Sequence, residues 1–191
     1  MIGAVDIGGT KIAAGVVDGR GQVVASAECP TYPDGGFDSA MERVVSMLSE
    51  ASREAGAAIE GICIGCTGPV DPVTGTLGNV NFFPTWEGSN PVAVLSHRFG
   101  VRVAMENDAD AAALGEAAWG TGKGKSRLIF VTVGTGIGGG IILDGRIYRG
   151  VDASHPEIGH HVIDPSGPAC SCGARGCWES FATGPALARQ Q

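Results

Sequence analysis

The sequence predicts an α/β chain of two related lobes, and three observations support this fold class. The predicted elements follow the order βββαβα and then a further strand pair. A strand–glycine turn–strand unit occurs twice, at "DIGGTK" and at "VGTGIGGG". The composition, with 43% hydrophobic and 17% charged residues, is that of an ordinary globular protein, and 191 residues suffice for one large or two small domains.

The first lobe is predicted to begin with a meander of three strands. These strands cover residues 2–6, 12–18 and 22–29, and glycine-containing turns join them. Residues 37–55 follow as an amphipathic helix, because their apolar side chains recur near helical spacing. The apolar positions are Met41, Val44, Val45 and Leu48.

The remaining predicted elements bring the chain into its second lobe. Residues 59–70 are expected to form a buried strand, 71–88 an irregular loop, 91–99 a helix, 101–106 a strand and 108–120 an alanine-rich helix. A second strand–turn–strand unit covers residues 127–150. We therefore place the first lobe in residues 1–110 and the start of a second lobe in residues 111–191.

Charge and hydropathy exclude several classes of partner. The 13 basic and 20 acidic residues leave a net charge of −7, which argues against a nucleic-acid surface, since that requires clustered positive charge. We find no basic amphipathic membrane helix, no run of 18 uncharged apolar residues and no signal peptide. We therefore expect a cytoplasmic protein with neither nucleic acid nor membrane as a partner.

The two glycine turns are candidate phosphate sites. "DIGGTK" places Gly8, Gly9, Thr10 and Lys11 where a bend can point several backbone N–H groups at phosphate oxygens, and Asp6 at the end of the strand can hold magnesium. The alternative is a plain hairpin whose glycines supply positive φ.

The second turn, residues 133–140, matches neither a Walker A loop nor a dinucleotide fingerprint. No Lys-Ser/Thr pair follows its glycines, and a strand follows where a helix should. Two such turns in one chain suit a nucleotide whose phosphates lie between two lobes.

Asp108 follows Asn107 at the point where a strand passes into a helix. Aspartate at that position is a good N-cap, and this structural role is one reading. The other is a general base that accepts the proton of a substrate hydroxyl, which is most of what phosphoryl transfer asks of a protein side chain.

A cluster of thiols with one histidine predicts a metal site. His160, Cys170, Cys172 and Cys177 form the pattern H-x9-C-x-C-x4-C, which fits a closed structural Cys₃His zinc site. Three cysteines would leave one unpaired in disulfides; free thiols remain an alternative, and His155 or His161 could replace His160. Gly173 and Gly176 would let the loop curl around the ion. Two further cysteines, Cys63 and Cys66, lie in an apolar strand and are expected to be buried, inert thiols.

Taken in this order, these motifs resemble the ROK family of bacterial sugar kinases and sugar-responsive repressors. The resemblance rests on "DIGGTK", "GPV" at residues 68–70, "END" at 106–108, "GTGIGGG", "HPEIGH" at 155–160 and "CSCGARGCWE" at 170–179. It implies an actin/hexokinase-like fold of two ribonuclease-H-like lobes. It also implies ATP-dependent phosphorylation of a hexose, usually at the 6-hydroxyl, with ATP and Mg²⁺ as cofactors and structural Zn²⁺.

The resemblance assigns roles to individual residues. Asp108 would be the catalytic base, and the zinc loop would present its side chains to the sugar. The implied sugar-binding residues are Gly68, Asn81, Asn107, Asp108, Glu157, His160 and Glu179. The implied phosphate and magnesium neighbours are Asp6, Gly8, Gly9, Thr10, Lys11, Gly134, Thr135, Gly136 and Gly138.

The chain departs from the family pattern in two ways. The segment "NVNFFPTWEG" only loosely follows the family's Asn-Pro-Asn-Leu pattern, which leaves the sugar open among hexoses and N-acetylhexosamines. Family members are also longer, so we expect the C-terminal remainder of the second lobe to be missing. The alternatives to a kinase are a sugar-sensing transcription regulator and a non-catalytic sugar-binding remnant. The full-length form is expected to be a homo-oligomer.

Overall fold

The computed structural model describes residues 1–79, 83–151 and 155–189, and it divides the chain into two compact units. The first unit is Met1–Ala111 and the second is Ala112–Gln191. No helix in the described part of the chain is both long enough and apolar enough to cross a membrane.

The first unit is built on a five-stranded sheet with the order β3-β2-β1-β4-β7. Strands β1, β2 and β3 form an antiparallel meander, whereas β4 and β7 run parallel to β1. The parallel arrangement brings the carboxyl ends of β1, β4 and β7 to one edge. The strands are β1 (Ile2–Ile7), β2 (Lys11–Val17), β3 (Val23–Pro30), β4 (Gly61–Cys66) and β7 (Arg102–Asn107).

Helix α1 (Phe37–Ala55) has the bounds that its apolar spacing predicts. Its buried side chains recur every three or four residues, so they form one stripe that packs on β2 and β3. The helix ends because Gly56 adopts a left-handed conformation with φ of 63°, and its N–H donates to the Arg53 carbonyl. The buried stripe consists of Ala40, Met41, Val44, Leu48 and Ala51.

The core of this unit lies between one face of the sheet and its helices. Alternate residues of the central strands point into it, as expected for half-buried strands. Trp86 is fully buried there, stacked on Phe83 with ring centroids 4.6 Å apart and edge-on to Phe37 at 5.7 Å. Aromatic packing therefore closes the end of the core beneath α1.

The predicted irregular loop contains structure that its sequence did not reveal. Strands β5 (Val70–Asp71) and β6 (Thr76–Leu77) pair as a small antiparallel hairpin, and Pro84–Trp86 forms one 3-10 turn. Helix α2 (Pro91–Phe99) follows as predicted. Its N-terminus is capped by the Asn90 side chain, which accepts a hydrogen bond from the Ala93 N–H at 2.8 Å.

The second unit contains a three-stranded antiparallel sheet with the order β10-β9-β8. Its strands are β8 (Arg127–Val133), β9 (Ile137–Leu143) and β10 (Arg146–Ile147). Helix α3 (Asp108–Ala118) precedes it and includes the boundary between the units. The short helices α4 (Glu179–Ala182) and α5 (Gly184–Ala188) end the described part of the chain.

Candidate functional site

The carboxyl ends of three parallel strands bring two acids to the same edge of the first sheet. Asp6 lies near the end of β1, and Asp108 begins α3 immediately after β7. Gly65 of β4 stands in register between Asp6 and Glu106. A side chain at Gly65 would come within 3.4 Å of Ala111, so the glycine makes room for the first turn of α3.

Asn107, and not Asp108, performs the capping function that the sequence suggested for the aspartate. The Oδ1 of Asn107 accepts hydrogen bonds from the N–H groups of Ala109 at 2.9 Å and Asp110 at 3.4 Å. Its Nδ2 donates to the Gly68 carbonyl at 3.3 Å. Asp108 Oδ1 also accepts a hydrogen bond from the Ala109 N–H, at 2.8 Å, whereas the Asp110 N–H is held by Asn107. The half-buried Asp108 is therefore not needed as the helix cap.

The environment of this edge is electrostatically negative. Partial dehydration of its carboxylate, and then the charge of Asp108, raise the pKa of Asp6. Burial raises the pKa of the Cys66 thiol to about 12, with Asp108 and Asp6 adding to the effect. A site with two neighbouring carboxylates suits a divalent cation bound through oxygen ligands.

The first glycine turn, residues 8–10, joins β1 to β2 and is held from the side by Thr31. The Thr31 hydroxyl donates to the Gly8 carbonyl at 2.7 Å, and its N–H donates to the Thr10 carbonyl at 3.0 Å. Thr31 itself is fully buried. Among the described residues, no acceptor lies within hydrogen-bond distance of the N–H of Gly9 or Thr10, so two adjacent donors remain available for a ligand.

Lys11 follows this turn and is paired with a neighbouring strand. Its Nζ lies 2.8 Å from Glu28 Oε1, and both side chains are exposed. An exposed pair of this kind contributes little to stability and can open when a stronger anion binds. The contact with Glu28 raises the pKa of Lys11, so the side chain remains a cation beside the turn.

The second glycine turn, residues 134–136, joins β8 to β9 in the same way. Gly184 N–H donates to the Gly134 carbonyl at 2.9 Å, and Glu179 Oε2 accepts from the Ile137 N–H at 2.9 Å. In the described part of the chain, the N–H groups of Thr135 and Gly136 have no acceptor within hydrogen-bond distance. Neither Gly8 nor Gly9 has positive φ, so the first turn does not need its glycines for that reason.

His160, Cys170, Cys172 and Cys177 come together as the sequence predicts. Their ligand atoms all lie within 4.8 Å of one another. His160 Nδ1 is 3.5 Å from Cys170 Sγ, and the sulfurs of Cys172 and Cys177 are 3.7 Å apart. In a tetrahedral site with Zn–S bonds of about 2.3 Å, two sulfurs stand about 3.8 Å apart. The four side chains therefore fit a tetrahedral metal ion of the zinc type.

The segment that carries these four side chains, residues 159–184, is called the metal loop below. Its backbone conformation requires two of its glycines. Gly173 and Gly176 have φ of 92° and 70°, a region that other residues rarely adopt. A side chain at Gly176 would also collide with the Asp164 carbonyl. By contrast, the expectation that Cys63 is a buried thiol is wrong, because Cys63 is exposed while Cys66 is buried.

The side chains predicted to hold a sugar lie in both units. Glu157 is exposed, with Oε1 3.5 Å from His155 Nε2, and this interaction with His155 lowers the pKa of Glu157. Gly68, with φ of 86°, is tied to Asn107. Asn81 lies outside the described residues.

Two interactions at these turns were not foreseen from the sequence. Thr31 supports the first turn across 23 residues, and Glu179 holds the second across 42. No sequence pattern marks Thr31, because its burial is visible only in the folded chain. Nothing in the local sequence of Glu179 indicates its contact with Ile137.

The chain is similar to sugar kinases over almost all of its length. The model of the ROK family matches residues 2–191, and the chain belongs to this family. It is 41% identical over 189 residues to a glucokinase of Streptomyces coelicolor. That alignment covers 97% of this chain but 57% of the relative.

Solved structures of the same family share the fold. A ROK hexokinase from Thermus thermophilus matches with a TM-score of 0.86 and 39% identity, covering 99% of this chain and 62% of that one. A ROK glucokinase from Streptomyces griseus, in complex with glucose and AMPPNP, matches with a TM-score of 0.81 and 38% identity, covering 97% and 58%. The predicted α/β, actin/hexokinase-like fold is confirmed, and the chain spans about three fifths of the length of these proteins.

Proposed function

We propose that the protein to which this chain belongs transfers the γ-phosphoryl group of ATP to the 6-hydroxyl of a hexose, with Asp108 as general base. The observation that carries the proposal is the position of Asp108 at the carboxyl edge of the sheet, at the start of a helix that Asn107 caps. Support comes from the family and from its Streptomyces griseus member, whose structure holds glucose and AMPPNP.

The proposed reaction assigns one task to each group at this edge. Asp108 accepts the proton of the sugar hydroxyl while the hydroxyl oxygen forms its bond to the γ-phosphorus. The bond between that phosphorus and the bridging oxygen breaks, and ADP leaves with the bonding electrons. Mg²⁺ near Asp6 would neutralise charge on the phosphate oxygens. The N–H groups of Gly9 and Thr10 in the first turn donate to phosphate oxygens, and the N–H groups of the second turn, in the other unit, are assigned the same kind of ligand.

We further propose that the cluster of His160, Cys170, Cys172 and Cys177 holds a structural Zn²⁺. A closed set of three thiolates and one imidazole leaves no open position for a reacting water. His160 uses Nδ1 toward the cluster, so its Nε2 remains for a sugar hydroxyl. The loop would then fix Glu157, His160 and Glu179 relative to one another as sugar ligands.

Two of the proposed sugar ligands, Asn107 and Glu179, already make hydrogen bonds within the protein and have few donors or acceptors left for a sugar. Asn107 Oδ1 already accepts two backbone hydrogen bonds, and its Nδ2 has one hydrogen to offer after Gly68 is satisfied. Glu179 has one oxygen engaged by Ile137 and one available. We therefore expect Asn107 to act mainly by shaping the loop at Gly68, while Glu157 and His160 make the direct contacts.

We also propose that residues 1–110 form a ribonuclease-H-like first lobe and that residues 111–191 belong to a second lobe. The face of β8 supports this, since Ile129, Val131 and Val133 are 66%, 39% and 56% exposed. Apolar side chains exposed in a row along a strand mark a surface that packs against something else. Homo-oligomerisation of the longer form stays a prediction.

The test measures sugar-dependent release of ADP and, separately, calorimetric binding of glucose and AMPPNP. Asp108→Asn is expected to lower turnover by roughly 10²- to 10⁴-fold while glucose affinity changes by less than about threefold. Asp38→Asn is the matched control, because Asp38 is an exposed acid in the first turn of α1. Near-normal turnover of Asp108→Asn would reject the base assignment. Glucose binding without AMPPNP binding or turnover would favour a sugar sensor or a non-catalytic remnant.

A further inference from the structure

One hydrogen bond joins the metal loop to the second glycine turn. Glu179 is the first residue of α4 and follows Cys177 by two positions. Its Oε2 accepts the N–H of Ile137 at 2.9 Å, and Ile137 is the first residue of β9 after the turn. A hydrogen bond to a carboxylate is roughly twice as strong as one between neutral groups.

The absence of a side chain at position 136 leaves room for this carboxylate. A Cβ at Gly136 would lie 2.8 Å from Glu179 Oε2 and 3.7 Å from its Cδ, and within 4 Å it would meet no other described atom outside the adjacent residues. Gly136 does not have positive φ, so the backbone itself would accept a side chain. A side chain at position 136 would therefore displace the Glu179 carboxylate from its present position.

The metal loop also contacts the second glycine turn at its other end, and it contacts the start of β9. Gly184 N–H donates to the Gly134 carbonyl at 2.9 Å. Gly159 packs so closely on the Ile137 carbonyl that no side chain would fit there. Residues 159–184 thus contact both ends of the turn, and the four metal-ligating side chains belong to the same segment.

We propose that Glu179 is a positioning residue for the phosphate-binding turn, acting through the N–H of Ile137, in addition to any contact with sugar. The proposal rests on the proposed function only in taking phosphate as the ligand of the turn. By accepting one N–H, Glu179 fixes the direction of the two adjacent donors, on Thr135 and Gly136. A nucleotide phosphate then meets a preformed pair of donors and loses less ordering entropy on binding.

A competing effect has the opposite sign and makes the proposal testable. A carboxylate beside an anion site repels phosphate and occupies one of its donors. If repulsion outweighs positioning, removal of Glu179 tightens nucleotide binding. If positioning outweighs repulsion, removal weakens it, and glutamine restores it, because the glutamine carbonyl oxygen accepts the same hydrogen bond.

The first experiment needs no ligand. Amide hydrogen exchange at Ile137, resolved by NMR, is compared in wild type, Glu179→Gln, Glu179→Ala, Gly136→Ala and the double variant with alanine at both positions. Protection of Ile137 should fall about tenfold in Glu179→Ala, as expected for the loss of about 1.4 kcal/mol, and be largely kept in Glu179→Gln. Gly136→Ala should also lower it. The Ile137 amide of the double variant should exchange no faster than that of Glu179→Ala, because the methyl added at position 136 no longer meets the Glu179 carboxylate.

The second experiment measures AMPPNP affinity by calorimetry on the same variants. We expect a Kd about tenfold weaker for Glu179→Ala and within about threefold of wild type for Glu179→Gln. Unchanged Ile137 exchange in Glu179→Ala, or tighter AMPPNP binding, overturns the positioning role. A third outcome separates the two claims. If Glu179→Ala changes Ile137 exchange but the wild type binds no AMPPNP, Glu179 still positions the turn, and the proposed nucleotide-binding function is rejected. Exchange at Gly8 in the first turn is the internal control and should not change.

Discussion

The two glycine turns have the same place in their sheets but are supported by different means. Each joins an antiparallel strand pair, β1 to β2 and β8 to β9, and each leaves two adjacent N–H groups for a ligand. The first is held by Thr31, a fully buried neutral side chain one residue beyond β3. The second is held by Glu179, a half-buried charged side chain from the metal loop.

Because the supports differ, the two turns depend on different parts of the chain. The first turn relies on a neighbour in its own meander, so it forms whenever the sheet forms. The second relies on residues 159–184, which carry the four proposed metal ligands. A turn supported in this second way can be loosened without unfolding the sheet that carries it. The predictions below use this asymmetry, starting with the largest effect.

Removal of the metal should release the second turn and leave the first unchanged. A closed thiolate site stabilises the loop that contains it, so chelation or Cys177→Ser should lower the free energy of unfolding of the second unit by several kcal/mol. Amide exchange at Ile137 should rise steeply, while exchange at Gly8 stays the same. Elemental analysis of the purified protein should find a single zinc ion per chain.

Cys63→Ser is the matched control for this experiment. Cys63 is an exposed cysteine outside the ligand cluster, so the substitution removes a thiol without touching the loop. Faster exchange at both turns after chelation would show that the first turn is not independent of the metal. Unchanged exchange at Ile137 would contradict the support of the second turn by the loop.

The features that the sequence predicts correctly are those with local signals, and the features it misses depend on contacts between distant residues or on very short strands. Helix α1 was predicted with both bounds correct, because its apolar period and Gly56 are local signals. The clustering of His160, Cys170, Cys172 and Cys177 was also predictable, since their spacing is itself the signal, and their role as metal ligands stays a prediction. The β5–β6 hairpin was missed because its strands are only two residues long and carry no alternating pattern.

The errors have identifiable physical causes. Asp108 was a plausible cap by residue type, but the helix begins at Asp108 itself, which places Asn107 at the capping position. Cys63 was expected to be buried with the rest of its strand, but alternation turns it to the opposite face from Cys66. The contact between Glu179 and Ile137 depends on how the metal loop folds back, which no local pattern encodes.

Thr31→Val should destabilise the first turn and not the second. Valine keeps the shape of threonine but leaves the Gly8 carbonyl without its buried donor, which costs about 1–2 kcal/mol in the free energy of unfolding. Urea denaturation measures this change, and exchange at Ile137 should stay as in wild type. Thr132→Val, at an exposed threonine of β8, is the control and should change stability by less than about 0.5 kcal/mol. Equal effects of the two substitutions would mean that the Thr31 hydroxyl does not support the turn.

The smallest effect concerns the residue two positions before each turn, which is Asp6 in the first sheet and Thr132 in the second. The folded protein raises the pKa of Asp6, mainly by dehydration and then through Asp108, so folding favours its protonated form. The ionised form therefore costs stability above the folded pKa, and this cost disappears as the pH falls below the ordinary pKa of aspartate.

Asp6→Asn should accordingly raise the melting temperature slightly at neutral pH, in buffer without added Mg²⁺, and the gain should vanish in acid. Asp71→Asn provides a comparison of opposite sign. Hydrogen bonds from Thr74 and Val73 lower the pKa of Asp71, so its substitution should cost stability at neutral pH, and that cost should fade as the pH drops through the folded pKa. Thermal unfolding of both variants between pH 3 and 8 measures the two trends. A gain for Asp6→Asn that grows on acidification would show that the carboxylate at the first turn stabilises the fold, and the first turn would then carry no electrostatic cost that the second lacks.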